Sequence, residues 1–144
     1  MKKILILNGP NLNMLGLREP EIYGSHTLKD IENLCIEVGQ RHNFHIDFRQ
    51  TNHEGVMVDW IQEARGLFDG LMINAAAYTH TSLAVHDALK LLDFPIIEVH
   101  LSDPKKREEF RHFSYIEPLA KAVFSGQGIK GYELALDKMV ILLT

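Results

Sequence analysis

Ile4-Leu-Ile-Leu7, Leu28-Lys-Asp-Ile-Glu-Asn-Leu-Cys-Ile-Glu-Val-Gly-Gln-Arg41 and Phe44-His-Ile-Asp-Phe48 follow one another along the first third of the chain. The first piece is apolar at every position, as expected of a strand covered on both faces of a sheet. In the second, Leu28, Ile31, Leu34, Cys35 and Val38 recur at spacings of three and four, which puts them on one stripe of a helix, with Thr27 or Ser25 as its cap. In the third, Phe44, Ile46 and Phe48 alternate with polar neighbours, so a strand buried more on one face is expected, near a sheet edge. Strand, helix and strand in this order make a β-α-β unit.

The alternation continues to the end of the sequence. A helix is expected to carry Val56, Trp60, Ile61, Ala64 and Leu67, with Trp60 as core packing, and residues 71–73 read as a third strand. A helix with Leu83, Leu89 and Leu92 on its apolar face follows, then a strand at 96–99 and a short charged helix at 104–110. A strand at 122–124 and a last helix over 132–143 complete the series. Five strands alternating with helices predict an α/β, flavodoxin-like, doubly wound five-stranded parallel sheet flanked by helices. A chain of 144 residues fits one domain.

With 46% hydrophobic and 24% charged residues the composition is that of a globular protein. The formal net charge of -4 argues against nucleic acid as a partner, since phosphate binding draws on clustered Lys and Arg. The Lys105, Lys106, Arg107 run is offset by Glu108 and Glu109. Cys35 is the single cysteine and is expected to act as a small buried hydrophobe. After Met1, Lys2 and Lys3 the apolar run stops at Asn8, so neither a targeting segment nor a membrane span is expected, and the expected compartment is the cytoplasm.

In open α/β sheets a ligand binds beyond the carboxyl ends of the strands. Reading past each strand gives Asn8 and Asn11, then Asn52 and His53, then Asn74, then His100 and Ser102, and so predicts a convergent polar crevice. The first connection, at about 9–26, is far longer than the roughly 2–6 residues usual for such loops. It holds Gly16 and Gly24 as possible hinges and carries Arg18 and Tyr23. It reads equally as a lid bearing catalytic groups or as a surface excursion. His80 and His86 match no common metal-ligand spacing and no cysteine cluster joins them, so no metal is expected. Gly9-Pro10 lacks the spacing of a phosphate loop.

Several segments carry a family resemblance. They are Asn8-Gly-Pro-Asn-Leu-Asn13 with Gly16 and Arg18-Glu-Pro-Glu-Ile-Tyr-Gly24, Tyr78-Thr-His-Thr-Ser82, and Glu98-Val-His-Leu-Ser102 with Arg107-Glu-Glu-Phe-Arg-His112. Gln50-Thr-Asn-His-Glu-Gly55 and Asp59-Trp-Ile61 add a fourth stretch. Over residues 4–136 the sequence resembles the type II 3-dehydroquinate dehydratases. The resemblance implies a hydro-lyase that converts 3-dehydroquinate to 3-dehydroshikimate and water by anti elimination through an enolate. It implies no metal or organic cofactor, and a homo-oligomer, a dodecamer built as four trimers. By the same resemblance Tyr23 is the base, Arg18 its activator, His100 the proton donor, and Asn11 the holder of the water that stabilises the enolate. Asn74, His80, Asp87, Arg111 and the main-chain amides of Leu101 and Ser102 bind the substrate. The sequence departs from the family pattern at Ala75-Ala76, where Pro-Gly or Ala-Gly is expected, at His86 in place of Arg, and at Asp103 in place of Asn.

The chemistry needs such groups. Removing a proton beside a ketone requires a base and stabilisation of the enolate oxygen. Bringing a phenol to ionise at neutral pH takes roughly 4 kcal/mol of preferential stabilisation, which a permanently charged arginine five residues away in the same loop can largely supply. Hydroxide is a poor leaving group, and an imidazole titrates close enough to neutrality to protonate it. Glu98, two positions before His100, lies on the same strand face and is placed to orient or charge it. Each residue alone also has an ordinary reading, as packing tyrosine, solvated arginine or strand-end histidine. The rival functions are a non-catalytic module of the same fold that binds a small anionic metabolite, or an assembly subunit whose crevice is vestigial, and a metal-independent lyase for another cyclic hydroxy-ketone.

Overall fold

Strand β1 (Lys2–Asn8) is the axis of the sheet, with Ile4, Leu5, Ile6 and Leu7 fully buried. It pairs in parallel with β2 (Phe44–Gln50) on one side and β3 (Gly70–Asn74) on the other. Beyond β3 lie β4 (Ile96–Val99) and β5 (Ala122–Phe124), giving the all-parallel order β2-β1-β3-β4-β5. The alternating strand β2 is an edge, as its pattern predicts. The computed structural model describes residues 1–17 and 19–144. Its helices are α1 (Pro20–Tyr23), α2 (Leu28–Arg41), α3 (Glu54–Ala64), α4 (Leu83–Leu89) and α5 (Lys130–Leu142).

Side chains alternate across the sheet and build two cores. Ile4, Ile6, Met72, Ile97 and Val99 face α2 and α5 and meet Ile31, Cys35, Val38, Ala135, Leu136 and Met139. Leu5, Leu7, Leu71, Ile73 and Ile96 face α3 and α4 and meet Met57, Ile61, Ala64, Val85 and Leu89, with Trp60 packed at the margin. Helix α2 begins with a capping box in which the Thr27 side chain accepts from the Asp30 N–H and the Asp30 carboxylate accepts from the Thr27 N–H, worth about 1 kcal/mol. Burial pushes the Cys35 thiol up to about 12, so it packs as a hydrophobe. Among the described residues no helix is long and apolar enough to cross a membrane.

Three expectations are corrected. Helix α3 stops at Ala64 and the chain turns through Gly66 at φ 82°, which leaves Leu67 outside the helix and 63% exposed. The apolar face of α4 is Val85, Ala88 and Leu89, because Leu83 sits in the first turn and is exposed, and Leu92 lies past the last turn. In place of a charged helix at 104–110 there are two single 3-10 turns, Pro104–Lys106 and Glu109–Arg111, with Arg107 extended between them. Asp103 caps the first turn by accepting from the Lys105 N–H at 3.0 Å, and Arg107 Nη1 reaches back to donate to Ser102 Oγ at 3.3 Å.

The strand order changes direction between β1 and β3, where the chain first crosses to one side of β1 and then to the other. There the two loops press together. The Gly9 N–H donates to Asn74 O at 2.8 Å, and a Cβ at Gly9 would lie 2.4 Å from Ala75 O. Gly9→Ala is therefore expected to lose about 1–3 kcal/mol of stability, read by chemical denaturation. An unchanged midpoint would show that the loops separate without cost.

Candidate active site

The carboxyl ends of β1, β3 and β4 deliver their loops to one cleft, as the topology requires. Pro10, Asn11 and Leu12 enter it after β1, Asn74, Ala76, Ala77 and His80 after β3, and His100, Leu101 and Ser102 after β4. Arg107 and Arg111 close the far wall, and Tyr23 reaches in from α1. The long first connection is tethered at its start: Leu12 and Leu15 are buried in the core. Asn11 adopts a left-handed conformation, its N–H donates to Asn52 Oδ1 at 3.0 Å, and Gln50 Nε2 donates to Gly9 O at 3.1 Å. Gly16 and Gly24 both take positive φ, 91° and 86°, which suits glycine.

His100 is 7% exposed and Glu98 is 1% exposed. Their contact, Nε2 to Oε2, is 2.5 Å. A carboxylate accepts and does not donate, so Nε2 carries a proton; Nδ1 is the nitrogen left for chemistry in the cleft. Ser114 Oγ donates to the same Glu98 oxygen at 2.9 Å, while Oε1 has no partner among the described residues. A carboxylate buried this far is costly unless donors meet it, and His100 and Ser114 both meet its Oε2.

His80 stacks beside His100 with ring centroids 6.4 Å apart. Its Nδ1 is 2.7 Å from Phe113 O, and a carbonyl only accepts, so Nδ1 carries the proton. Burial, offset in part by that bond, holds His80 below the ordinary imidazole range. At neutral pH its Nε2 therefore offers a lone pair, and a hydroxyl is its natural partner. Arg111 Nε donates to Glu108 Oε1 at 2.9 Å, which steadies its guanidinium. The Arg107 guanidinium lies 5.2 Å from the centre of the Tyr23 ring, within reach of a favourable cation–π contact.

Of the residues expected in the site, Asn11, Tyr23, Asn74, His80, His100, Leu101, Ser102 and Arg111 line this cleft. Glu98 stands behind His100. Arg18 lies outside the described residues. Asp87 is exposed on α4 and does not line the cleft. Asn8 and Asn52 do not contribute to the cleft wall as the rim pattern predicts: Asn8 is fully buried, and Asn52 holds the Asn11 backbone. Among the described residues no three of His, Cys, Asp and Glu gather in a way that would hold a metal ion.

A family model described as dehydroquinase class II matches residues 2–140. The chain belongs to the class II dehydroquinases. A 3-dehydroquinate dehydratase of Variovorax paradoxus is 55% identical over 97% of this chain and 99% of that protein. A catabolic 3-dehydroquinase of Talaromyces marneffei is 57% identical over 95% of this chain and 78% of its own length. The crystal structure of a type II dehydroquinase from Butyrivibrio crossotus superimposes with a TM-score of 0.93 at 46% identity, covering 96% of this chain and 97% of that one.

Arg107 is the cleft residue that sequence reasoning missed in this dehydroquinase. Its place in a run of mixed charge reads as a solvated surface; only the fold carries it to Tyr23 and Ser102. The family departures have local explanations. Ala76 stands at φ 52°, a conformation natural to glycine, and Asn74 Oδ1 accepts from its N–H at 3.2 Å. Asp103 caps its turn as asparagine would. His86 Nδ1 donates to Tyr115 O at 2.5 Å, which ties α4 to the segment following Arg111.

Proposed function

We propose that this chain removes water from 3-dehydroquinate to form 3-dehydroshikimate. The observation that carries the reading is the pair of groups facing one cleft: a tyrosine with a guanidinium over its ring, and a histidine backed by a buried carboxylate. One suits a base that works as an anion and the other an acid that works as a cation.

Tyr23 as phenolate takes a proton from C2, the carbon between the ketone at C3 and the hydroxyl at C1. Arg18 and Arg107 favour the anion. The electron pair moves to the C3 oxygen, giving an enolate that a water held by Asn11 stabilises. The C1–O bond then breaks, the C1–C2 double bond forms, the carbonyl returns, and His100 Nδ1 passes its proton to the departing hydroxyl. Tyr23 has gained the proton that His100 has lost, and exchange with solvent restores both. The elimination is anti, as the family resemblance implies, with base and acid acting on opposite faces of the ring. Glu98 stabilises the imidazolium before the transfer.

Asn74, His80, Arg111 and the amides of Leu101 and Ser102 hold the substrate's hydroxyls and carboxylate. The segment at 9–26 acts as a lid over one catalytic domain. Asp87, exposed on α4, acts across a subunit boundary in a dodecamer of four trimers. The enzyme works in the cytoplasm, in aromatic biosynthesis or in quinate breakdown; one relative's name specifies a catabolic role.

The test is direct because the product is a conjugated enone that absorbs ultraviolet light and the substrate is not. Purified protein mixed with 3-dehydroquinate is expected to give a rising absorbance with no added cofactor. A flat trace would favour the metabolite-binding module instead.

A further inference from the structure

Asn8 and Asn74 end adjacent strands and are cross-strand partners. Following Ile6 and Met72 in alternation, both side chains point to the α2 and α5 face, where Tyr132 of α5 is fully buried. The three polar groups form a chain whose direction can be worked out. Asn8 Nδ2 donates to Arg49 O at 3.0 Å, which fixes that carboxamide with Oδ1 toward Tyr132. An amide oxygen has no proton, so the Tyr132 hydroxyl donates to Asn8 Oδ1 at 2.7 Å. A phenol has one proton, and it is now used. The Tyr132 oxygen can therefore only accept, and at 3.0 Å its partner is Asn74 Nδ2. The far side of the same carboxamide, Asn74 Oδ1, accepts from the Ala76 N–H at 3.2 Å. Burial holds the Tyr132 phenol well above its ordinary range, so the direction of the chain does not reverse at any working pH.

We propose that Tyr132, buried outside the cleft, is a positioning residue for Asn74. It holds that carboxamide in the one orientation that spends a single N–H on α5 and leaves the other N–H as a donor to an acceptor oxygen of the substrate. A flipped Asn74 would set two donors, its own Nδ2 and the Ala76 N–H, against each other, and would aim its oxygen at an oxygen that has no proton to give. Both mismatches are buried, where an unmet polar group is expensive. The register that begins at the Arg49 carbonyl thus ends as a hydrogen-bond donor in the cleft. The inference rests on the dehydratase reading for its substrate, but the orientation of Asn74 can be tested without turnover.

Two measurements decide it. The first is a double-mutant cycle in kcat/KM for 3-dehydroquinate. Tyr132→Phe alone is expected to lower kcat/KM roughly 10-fold, and to change it by less than about 2-fold in an Asn74→Ala background, since the two act through one group. Equal losses in both backgrounds would overturn the proposal and leave Tyr132 a packing residue. The second is the pair of side-chain amide proton signals of Asn74 in protein labelled at asparagine nitrogen, assigned by their loss in Asn74→Ala. Tyr132→Phe is expected to shift or broaden them, and unchanged signals would overturn the idea whether or not the protein turns over substrate. Should Tyr132→Phe fail to fold, Asn8→Ala serves, because it frees the Tyr132 proton to seek Asn74 Oδ1. The same signals are then expected to move, and their constancy would again count against the proposal.

Discussion

Tyr23→Phe is expected to lower kcat by about 100- to 10,000-fold, the range that a positioned general base contributes. Phenylalanine keeps the ring, and with it the contact to the Arg107 guanidinium 5.2 Å away, so the loss reports the oxygen and not the packing. Affinity for a substrate-shaped inhibitor, measured by titration calorimetry, is expected to change far less than kcat. Arg18→Ala probes the same step from the other partner. On the proposed mechanism the base acts deprotonated, so activity is expected to rise with pH. Removing a cation makes that ionisation harder, and the rising limb of the pH profile is expected to move to higher pH while turnover falls. Wild-type kcat in Tyr23→Phe would remove the tyrosine from the chemistry, and an unmoved limb in Arg18→Ala would separate the arginine from it.

His100→Asn is expected to cost a similar factor, about 100- to 10,000-fold in kcat, for a different reason. Asparagine can still donate an N–H toward the buried Glu98 carboxylate, which in the wild type meets His100 at 2.5 Å, but it cannot release a proton to a departing hydroxyl. The two halves of the reaction should therefore come apart. With Tyr23 intact, exchange of the C2 hydrogen with deuterated solvent, followed by NMR, is expected to outlast elimination in His100→Asn. In Tyr23→Phe the exchange itself is expected to vanish. Wild-type elimination in His100→Asn would refute the assignment of the acid.

Much of this site was legible before the fold. Tyr23, His100, Asn11, Asn74 and Arg111 occur in family-like motifs, and each lines the cleft. The pairing of Glu98 with His100 followed from strand alternation alone, since residues two apart share a face. The polar rim was read less well. Asn8 and Asn52 come just past or at the end of their strands, as ligand-binding residues do, yet each is spent on the protein itself, one in the chain through Tyr132 and one on the Asn11 backbone. Arg107 also begins a family-like motif, but beside Glu108 and Glu109 its charge reads as a solvated one and gives it no role until the fold brings it to Tyr23.

The succession of strands and helices, the edge position of β2 and the inward face of α2 came from the sequence by itself, because periods of two and of three to four residues are properties of adjacent side chains. Where helices stop is not set by that periodicity, since the end of α3 and the break at Arg107 depend on single turns and on what the next side chain can reach. Which polar groups meet was decided only by the tertiary structure. The bond from Tyr132 to Asn8 joins residues 124 positions apart, and a hydrogen bond is satisfied by distance and direction in space, which no local spacing records.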